Sequence, residues 1–482
     1  MKVRHACDRS NSNTKSAVED IGEVAIIGGG LAGLLAALAV EPFSKSVRIF
    51  ERRLDVVQGD TSARSTQKYG YAIVSGGLDS IQELSPSLFE ALTSGGACLV
   101  DASAQVRFYE GAVISPTLTS NLRILTASRT HIAEAIHKQV QLYPRIRVEH
   151  AVVERVFPAG IKAVVETNAE KMSFDLVIDA SGRRPMSDNH RPFSHNFYSA
   201  GITTPVSYEP DVTIRSIVVD SWTDHDQDWA LLVGNMPPPE GRAGSQIMRI
   251  ENGQVQVAVA ERFSRGSSTT TASEIIQASL PAAIASKVTN YLDGRMLRQQ
   301  RYRFAYRTQI ERTKRHPVSF LVLGDALMST NPIYGLGIAS AAIEAQALRN
   351  AVKECLRIND TTLIVSKYYS SIRRTTNLAW KVSSWTDKCY RLGNDRLSGI
   401  VKLLTPVRSA AMKDPTACSQ LYRAVALSTS ASFERTILHM VFAAFKNWIW
   451  RFARSILPTP RGNRDINTPR TAPQIKDDEP RL

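Results

Sequence analysis

An apolar run near the start of the chain, Val24–Ile27, stops at three consecutive glycines and is followed by small and apolar residues as far as Leu38. An unbroken apolar run is typical of a strand buried on both faces, and small and apolar residues at helical spacing are typical of a helix packed against it. The pattern predicts a strand, a glycine turn and a helix over Glu23–Val40, and a second strand over Ser46–Arg52.

Hydrophobic periodicity further along the chain predicts a mixture of helices and strands without an internal repeat. It indicates a helix over Thr126–Val140, strands between 146 and 178, a β-rich stretch over 205–265, a buried strand at 318–323, a helix of small residues over Gly337–Leu356 and helices over about 360–457. Asn252 and Gly253 lie between two alternating runs, and this pair predicts a type I′ hairpin turn. The whole pattern is that of an α/β protein.

Length and composition set limits on these elements. A chain of 482 residues with 43% hydrophobic content exceeds one ordinary domain and can bury large cores. Residues 1–20 and 459–482 are polar, and we expect a disordered leader and a disordered tail there. No stretch approaches the ~18 apolar residues that a membrane-spanning helix needs.

The net charge and the cysteines indicate which partners and which cellular compartment suit the protein. The net charge of +14 fits nucleic acid, an anionic membrane or an anionic cofactor, or only a surplus of surface lysine and arginine. The five cysteines are scattered, without a CxxC pair or a histidine at ligand spacing. This arrangement argues against a disulfide framework and against a metal site, and it favours a reducing, cytoplasmic compartment.

The glycine turn matches GxGxxG at Gly28, Gly30 and Gly33, with Leu31 and Ala32 between the last two. It stands between a predicted strand and a predicted helix, which is the context that this motif requires. The first glycine permits a tight turn, the second lets the backbone approach a pyrophosphate, and the third lets the helix pack closely on the strand. The pyrophosphate of a dinucleotide would meet the positive end of the helix.

An acid for the ribose follows at the expected distance. Glu51 ends the second predicted strand, 23 positions after Gly28, and Arg52 comes next. An acid about 20 residues after the first glycine binds the ribose hydroxyls in such sites. Together these features predict a site for an adenine dinucleotide but do not separate FAD from NAD.

Two turns far downstream resemble those of the flavoprotein monooxygenases with a single FAD domain, the group that includes aromatic hydroxylases and squalene epoxidase. They are Gly324-Asp325-Ala326 and the loop "NPIYGLG" from Asn331 to Gly337. In that group the aspartate binds a ribityl hydroxyl, and the loop passes the isoalloxazine ring into a helix. The resemblance implies that the dinucleotide is FAD, with contacts from Gly324, Asp325, Pro332, Gly335, Leu336 and Gly337.

Other positions match the same group. Asp179 to Gly182 resembles its DG motif, which lies near FAD and the path of the nicotinamide cofactor. Arg64 and Arg129 stand where the group has arginines against the FAD phosphates or ring, and a guanidinium suits phosphate oxygens. Val153 is expected either beside the adenine or in the core of a strand.

Looser likenesses point to one subset, the bacterial flavin epoxidases of polyether biosynthesis. They include the stretch from Arg64 to Gly77, the GDA and NPIYG turns, and the segments Ala379–Asp387 and Asp414–Leu427. The chain departs from the subset at Tyr69 and Tyr71, where the subset has histidines. These departures leave the substrate open.

The resemblance implies a Rossmann-like, GR2-type FAD-binding domain, a β-sheet substrate domain and a C-terminal helical region. The corresponding division is a leader at 1–20, the FAD-binding domain at 21–185 and 315–355, the substrate domain at 186–314, the helical region at 356–458 and a tail at 459–482.

The resemblance also implies a reaction. NAD(P)H, bound transiently because no second GxGxxG is present, reduces FAD; O2 adds at flavin C4a, and the hydroperoxide transfers one oxygen atom. No motif places a histidine or carboxylate as a base, so the catalytic residues stay unassigned. This favours epoxidation or hydroxylation of a lipophilic, unionised compound of secondary metabolism. The candidates for its pocket, each of which could also be plain core, are Trp222, Trp229, Met236, Met248 and Phe263.

The predicted C-terminal helix, Phe433–Leu457, combines apolar and aromatic residues with Arg435, Lys446, Arg451 and Arg454. This composition suits a helix lying on an anionic membrane, so peripheral membrane contact through 433–457 is one interpretation. Packing on the FAD-binding domain is the other. Aromatic and basic residues also occur in nucleic-acid sites, but no recognition fold accompanies them, and we expect no nucleic-acid partner.

Three other functions compete with oxygen transfer. A flavin-dependent reductase of prenyl double bonds would share the FAD fold. A flavin halogenase would need a WxWxIP-type motif, and "DWALLVGNMP" holds a single tryptophan. The last is a flavin-binding module without enzymatic activity.

Overall fold

The structure of the protein, a computed structural model, describes residues 19–53, 69–110, 113–183, 205–220, 222, 228–236, 241–264, 270–292, 294–295, 297–390 and 412–456. Strands occupy Glu23–Ile27, Ser46–Glu51, Gly70–Val74, Cys98–Asp101, Val106–Glu110, Val113–Ile114, Arg123–Ser128, Ile146–His150, Val153–Ala159, Lys162–Thr167, Lys171–Phe174, Leu176–Asp179, Val206–Tyr208, Val212–Val219, Leu231–Asn235, Ala243–Arg249, Val255–Glu261, Arg298–Tyr302, Ala305–Arg307, Phe320–Val322 and Met328–Ser329. Helices occupy Leu31–Val40, Ser75–Leu84, Pro86–Ser94, Ala102–Gln105, Arg129–Gln141, Ala272–Ser279, Ala282–Asn290, Leu336–Arg357, Ile364–Cys389, Pro415–Val425 and Phe433–Ile456.

A five-stranded parallel sheet carries the glycine turn. Its strands, in spatial order, are Phe320–Val322, Leu176–Asp179, Glu23–Ile27, Ser46–Glu51 and Ile146–His150. The strands Glu23–Ile27, Leu176–Asp179 and Phe320–Val322 are mainly apolar and buried, as is usual for a parallel sheet that is covered on its faces, whereas the edge strand Ile146–His150 is partly exposed and carries charged residues. All five carboxyl ends lie at one edge, so the turns that follow them are neighbours in space although they are far apart in sequence.

A seven-stranded sheet forms the second layer. Its strands, in spatial order, are Arg298–Tyr302, Val212–Val219, Val255–Glu261, Ala243–Arg249, Leu231–Asn235, Val106–Glu110 and Val113–Ile114. The strands Val106–Glu110 and Val113–Ile114 lie within 21–185, the segment that the sequence analysis assigned to the FAD-binding domain. The chain therefore enters the second sheet before residue 186, where the predicted substrate domain begins. The division as a whole stays a prediction.

The helical region is tied to the parallel sheet. Tyr369, on the helix Ile364–Cys389, accepts a hydrogen bond at 2.8 Å from the backbone N–H of Val322. The neighbouring Tyr368 donates its hydroxyl to the carbonyl of the same residue at 3.2 Å. Both tyrosines are fully buried, and they fix this helix against the edge strand of the sheet.

Most predicted elements are present. The glycine turn, its strand and its helix lie where the pattern placed them, and the second strand covers Ser46–Glu51. Asn252 and Gly253 both have positive φ, 60° and 69°, as a type I′ turn requires. The predicted polar ends, 1–20 and 459–482, lie outside the described residues except for residues 19 and 20.

One helix boundary was wrong. The pattern predicted a helix over Thr126–Val140, but Arg123–Ser128 is a strand and the helix covers Arg129–Gln141. The Ser128 hydroxyl caps this helix by accepting the N–H of His131 at 3.1 Å. Serine is a favoured N-cap residue, and this signal marks the correct start.

Candidate functional site

Three turns meet at the carboxyl edge of the parallel sheet. In the sheet register Ile27 pairs with Asp179, and Asp179 pairs with Val322. The glycine turn, the Asp179–Gly182 turn and the Gly324–Asp325 turn therefore start side by side. A Cβ on Gly28 would lie 2.6 Å from the carbonyl oxygen of Ala180, which shows how closely the first two turns approach.

Glycine is required at different positions of the first turn for different physical reasons. A Cβ on Gly33 would collide with the carbonyl oxygen of Gly28, so this glycine is needed for the helix to pack on the strand. A Cβ on Gly30 would meet no described protein atom within 4 Å. Gly30 is also the N-cap of the helix Leu31–Val40. A bare backbone at a helix N-terminus fits the approach of a pyrophosphate, as the sequence predicted.

Glu51 lies beside this turn. It is 7% exposed, and its carboxylate accepts the N–H of Gly29 at 2.7 Å and the N–H of Arg53 at 3.0 Å. These bonds hold the acid at the end of its strand, next to the turn that a dinucleotide would cross. The position fits the ribose-binding role that the spacing indicated.

Asp325 stands at the surface of the third turn. Its side chain is 41% exposed and lies 3.3 Å from Nε of Arg183. The Arg183 guanidinium also donates to the carbonyl of Thr330 at 3.0 Å, and the Tyr306 hydroxyl donates to the Asp325 carbonyl. An exposed carboxylate of fixed direction suits the hydroxyl groups of a polyol such as a ribityl chain.

A buried carboxyl group accepts a hydrogen bond from the backbone of this turn. Glu344, on the helix Leu336–Arg357, is 3% exposed and accepts the N–H of Gly324 at 2.6 Å. Burial raises the pKa of Glu344 to about 8; the hydrogen bond from Gly324 opposes this shift, and the charge of Asp325 adds to it. At neutral pH the group is therefore mostly protonated.

Glu344→Gln is expected to remove a pH dependence of stability. Because the folded pKa is about 8 and the ordinary value is 4.5, the folded state binds the extra proton between these values. Stability then falls as pH rises from about 5 to about 8, by roughly 3.5 kcal/mol. The glutamine keeps an acceptor for Gly324 and should show a flatter profile. Urea unfolding of both proteins across this range measures the difference, and parallel profiles would refute the assignment.

The loop over residues 331–337 is anchored by a buried cluster around Asp387, which is 1% exposed. This carboxylate accepts hydrogen bonds from the hydroxyl of Tyr334 at 2.6 Å, the hydroxyl of Tyr208 at 2.8 Å and the amide of Asn331 at 3.0 Å. Arg262 Nε lies 3.4 Å away. Burial, with the adjacent Asp387 charge, raises the pKa of Tyr334 well above its usual range, so this phenol stays a donor.

Tyrosines and arginines stand near the loop. Tyr71 and Tyr302 are neighbours of Arg129 and Arg183, and the Arg183 guanidinium lies 5.0 Å from the centre of the Tyr302 ring. Burial, with Tyr71 beside it, raises the pKa of Tyr302 to about 12, although the two arginines oppose the shift. Both phenols are therefore neutral at physiological pH and can donate hydrogen bonds.

A cavity of about 370 Å³ lies between the loop and the seven-stranded sheet. The loop contributes Pro332, Ile333, Tyr334 and Gly335 to its wall. The sheet contributes apolar side chains and a few amides, among them Ile214, Val233, Met248, Ala258, Gln256 and Gln300. Its size and mainly apolar lining with a few fixed polar groups are typical of a small-molecule site.

The predicted pocket residues separate into two groups. Met248 lines the cavity. Trp222, Trp229 and Met236 belong to the hydrophobic cluster on the other face of the sheet, under the helices Ala272–Ser279 and Ala282–Asn290. Trp222 stacks on Tyr291 there, with ring centres 4.7 Å apart. Those three residues lie just outside the strands Val212–Val219 and Leu231–Asn235, and they pack in this cluster rather than against the cavity. Phe263 packs instead beside Cys389 and Tyr390.

The remaining predicted cofactor residues lie as follows. Arg129 begins the helix Arg129–Gln141, and Val153 begins its strand, half-buried against the main core. Leu336 is buried, and a Cβ on Gly337 would meet no described atom within 4 Å. Leu31 and Ala32 open the first helix, while Arg52 is exposed. Arg64 lies outside the described residues.

Sequence reasoning missed Asp387, Arg262 and Glu344. Asp387 is 56 positions from its partner Asn331, and no spacing rule connects them. The one available signal was that Asp387 is the single acid in the sequence of the helix Ile364–Cys389, which holds five basic residues. Glu344 gave a similar signal, since it lies among small residues of the helix Leu336–Arg357.

Comparisons of the sequence with known proteins do not place the chain in a family. No known protein-family profile matches the chain. Protein Rv3254 of Mycobacterium tuberculosis (strain ATCC 25618 / H37Rv) is 22% identical over 368 residues, which are 68% of this chain and 72% of that protein.

Solved structures show the fold more clearly. The flavin-dependent brominase Bmp2 matches with a TM-score of 0.59 at 14% identity, over 90% of this chain and 99% of its own. The p-nitrophenol 4-monooxygenase PnpA from Pseudomonas putida DLL-E4 matches with 0.58 at 15%, over 87% and 99%. 2-Methyl-3-hydroxypyridine-5-carboxylic acid oxygenase matches with 0.56 at 15%, over 75% and 89%. The predicted fold class is confirmed: the chain has the α/β fold of these flavin enzymes, with C-terminal helices.

Proposed function

We propose that this protein is an FAD-dependent monooxygenase that uses NAD(P)H and O2 to epoxidise or hydroxylate a lipophilic small molecule. One observation carries the proposal. The loop Pro332–Gly335, which starts near the dinucleotide turns, also forms a wall of the apolar cavity. A flavin held by those turns would present its ring to a substrate in that cavity.

The chain's own residues supply binding and shielding. Gly30 leaves the helix N-terminus open to a pyrophosphate, Glu51 suits the ribose, and Asp325 suits the ribityl hydroxyls. Bound FAD, reduced by NAD(P)H, would supply the activation of O2. The cavity walls would keep water from the reacting centre, which protects a reactive oxygen species from side reactions.

The cavity supports an apolar, unionised substrate. Among the described residues that line it, none is a histidine, and the one carboxylate is Glu110. The polar groups near its flavin end are neutral phenols, such as Tyr71, Tyr302 and Tyr334. Oxygen transfer to an alkene needs no base, whereas hydroxylation of a phenol benefits from one. We therefore favour epoxidation, as in the polyether-type subset, over phenol hydroxylation.

Asp325→Ala is expected to lower FAD retention at least about tenfold, because the loss of a carboxylate hydrogen bond to the ribityl chain costs about 1.5–3 kcal/mol. The absorbance of flavin in the purified protein, relative to protein concentration, measures the effect. Asp79→Ala removes a similarly exposed carboxylate outside the site and serves as the control. Full flavin loading of the Asp325 variant would remove this residue from the site.

A further inference from the structure

We propose that one face of the C-terminal helix docks on an anionic lipid bilayer, and that the cavity takes its lipophilic substrate directly from that bilayer. The entry of the substrate from the bilayer rests on the proposed function, whereas the docking of the helix does not. The helix Phe433–Ile456 is 24 residues long. None of the described helices has a segment both long and apolar enough to cross a membrane. The contact would therefore be one in the plane of the surface.

The face in question carries large apolar side chains that point to solvent. Leu438 is 68% exposed, Phe442 66%, Phe445 55% and Val441 47%. Positions 438, 441, 442 and 445 are three or four residues apart, so they form one stripe along the helix. We call these four residues the apolar stripe. A contiguous exposed stripe of this kind marks an interaction site rather than scattered surface residues.

The opposite side of the same helix holds it in place. Thr436 and Ala443 are buried, and Met440 packs in a small cluster with Ala443 and Ala417. Ile437 and Met440 line the cavity. Because one side is fixed by packing on the body of the protein, the apolar stripe is presented outward in a constant direction.

Charge favours a lipid surface of negative sign. Arg435 and Lys446 are exposed, and at helical spacing both fall on the same flank of the apolar stripe; Lys446 also lies 3.7 Å from the less exposed Asp414. The helix sequence holds four basic residues and one acid, and that acid, Glu434, pairs with Lys381. Apolar side chains flanked by basic ones are the pattern of helices that lie in the interface of anionic membranes.

The cavity opens beside the apolar stripe. Val441 both lines the cavity and is 47% exposed, and Trp385 lines it and is 39% exposed. These two side chains therefore mark the mouth. A bilayer in contact with the apolar stripe would face that mouth, so an apolar substrate could enter without crossing water, which lowers the cost of its transfer.

A second copy of the chain would fit the apolar stripe less well than an anionic bilayer does. In a two-fold symmetric dimer the same patch lies on both partners. Such a dimer would bring Arg435 and Lys446 of the two copies close together, and like charges near an apolar contact are unfavourable. A bilayer with anionic headgroups meets the same charges favourably.

Vesicle sedimentation of the full-length protein tests the docking. We expect binding to phosphatidylglycerol-containing vesicles at low salt, and several-fold weaker binding to pure phosphatidylcholine vesicles. The double variant Leu438→Ser/Phe442→Ser should bind the anionic vesicles at least about tenfold less, because two large side chains no longer enter the interface. Leu142→Ser/Ile161→Ser removes two equally exposed apolar side chains elsewhere and should bind like the wild type.

Three results would overturn the docking. They are the absence of wild-type binding, equal binding of the apolar-stripe variant, and a concentration-dependent dimer without vesicles that this variant abolishes. Flavin content and thermal midpoint are measured on the same samples. If the proteins bind vesicles as expected but neither the wild type nor any variant carries flavin, the proposed function is wrong and the proposal of membrane docking is retained.

Discussion

Gly30→Val is expected to give a folded protein that retains less than about a tenth of the wild-type flavin. The position is the N-cap of the first helix with extended backbone, which valine tolerates, and a Cβ there meets no described atom within 4 Å. The side chain would instead fill the space in which a pyrophosphate approaches the helix N-terminus. Displacing that group by one or two ångströms removes several hydrogen bonds, and 1.4 kcal/mol already equals a factor of ten in binding.

The matched comparison is Gly33→Val, three residues along the same helix. Its Cβ would collide with the backbone carbonyl of Gly28, so this variant should fail to fold or unfold at much lower temperature. Flavin absorbance and circular dichroism of both variants separate cofactor loss from loss of fold. A Gly30→Val protein that is yellow and fully loaded would show that the pyrophosphate lies elsewhere.

Asp387→Ala is expected to cost about 3–5 kcal/mol of folding free energy, which is the typical cost of removing one partner of a buried ion pair. The change leaves Arg262, 4% exposed, without its counter-charge. It also removes the shared acceptor of Tyr334, Tyr208 and Asn331, two of which belong to the loop that borders the cavity. Urea unfolding measures the loss.

Tyr208→Phe and Tyr334→Phe each delete one donor to the buried Asp387 carboxylate and should each cost about 1.5–3 kcal/mol. Their effects should not add up with that of Asp387→Ala, because all three share one network. Flavin loading should fall more with Tyr334→Phe than with Tyr208→Phe, since only Tyr334 lies in the loop. An Asp387→Ala protein as stable as the wild type would mean that this cluster does not hold the loop.

The three turns at the edge of the parallel sheet could be predicted from sequence because the rules that govern them are local. Gly28, Gly30, Gly33 and Glu51 stand in a strand, turn and helix whose geometry follows from backbone constraints alone. The Asp179 and Asp325 turns lie next to them because parallel strands end at a common edge. Once three such turns are recognised, their meeting place follows.

The side chains that face the cavity could not be predicted in the same way. Which face of a strand points to the cavity changes with a shift of one residue. Trp222, Trp229 and Met236 lie just outside the strands Val212–Val219 and Leu231–Asn235, so no alternation fixes the side on which they pack. The helices Ala272–Ser279 and Ala282–Asn290 cover that side. Asp387 was missed for another reason, since its partners come from three distant segments and only tertiary packing joins them.

Mass analysis of the product formed with isotopically labelled O2 tests the central claim most directly. The purified protein is supplied with FAD, NAD(P)H and a panel of lipophilic alkenes. We expect a product that carries one labelled oxygen atom, formed in proportion to the NAD(P)H consumed. A saturated product without label, or a halogenated product formed only when halide is added, would contradict it.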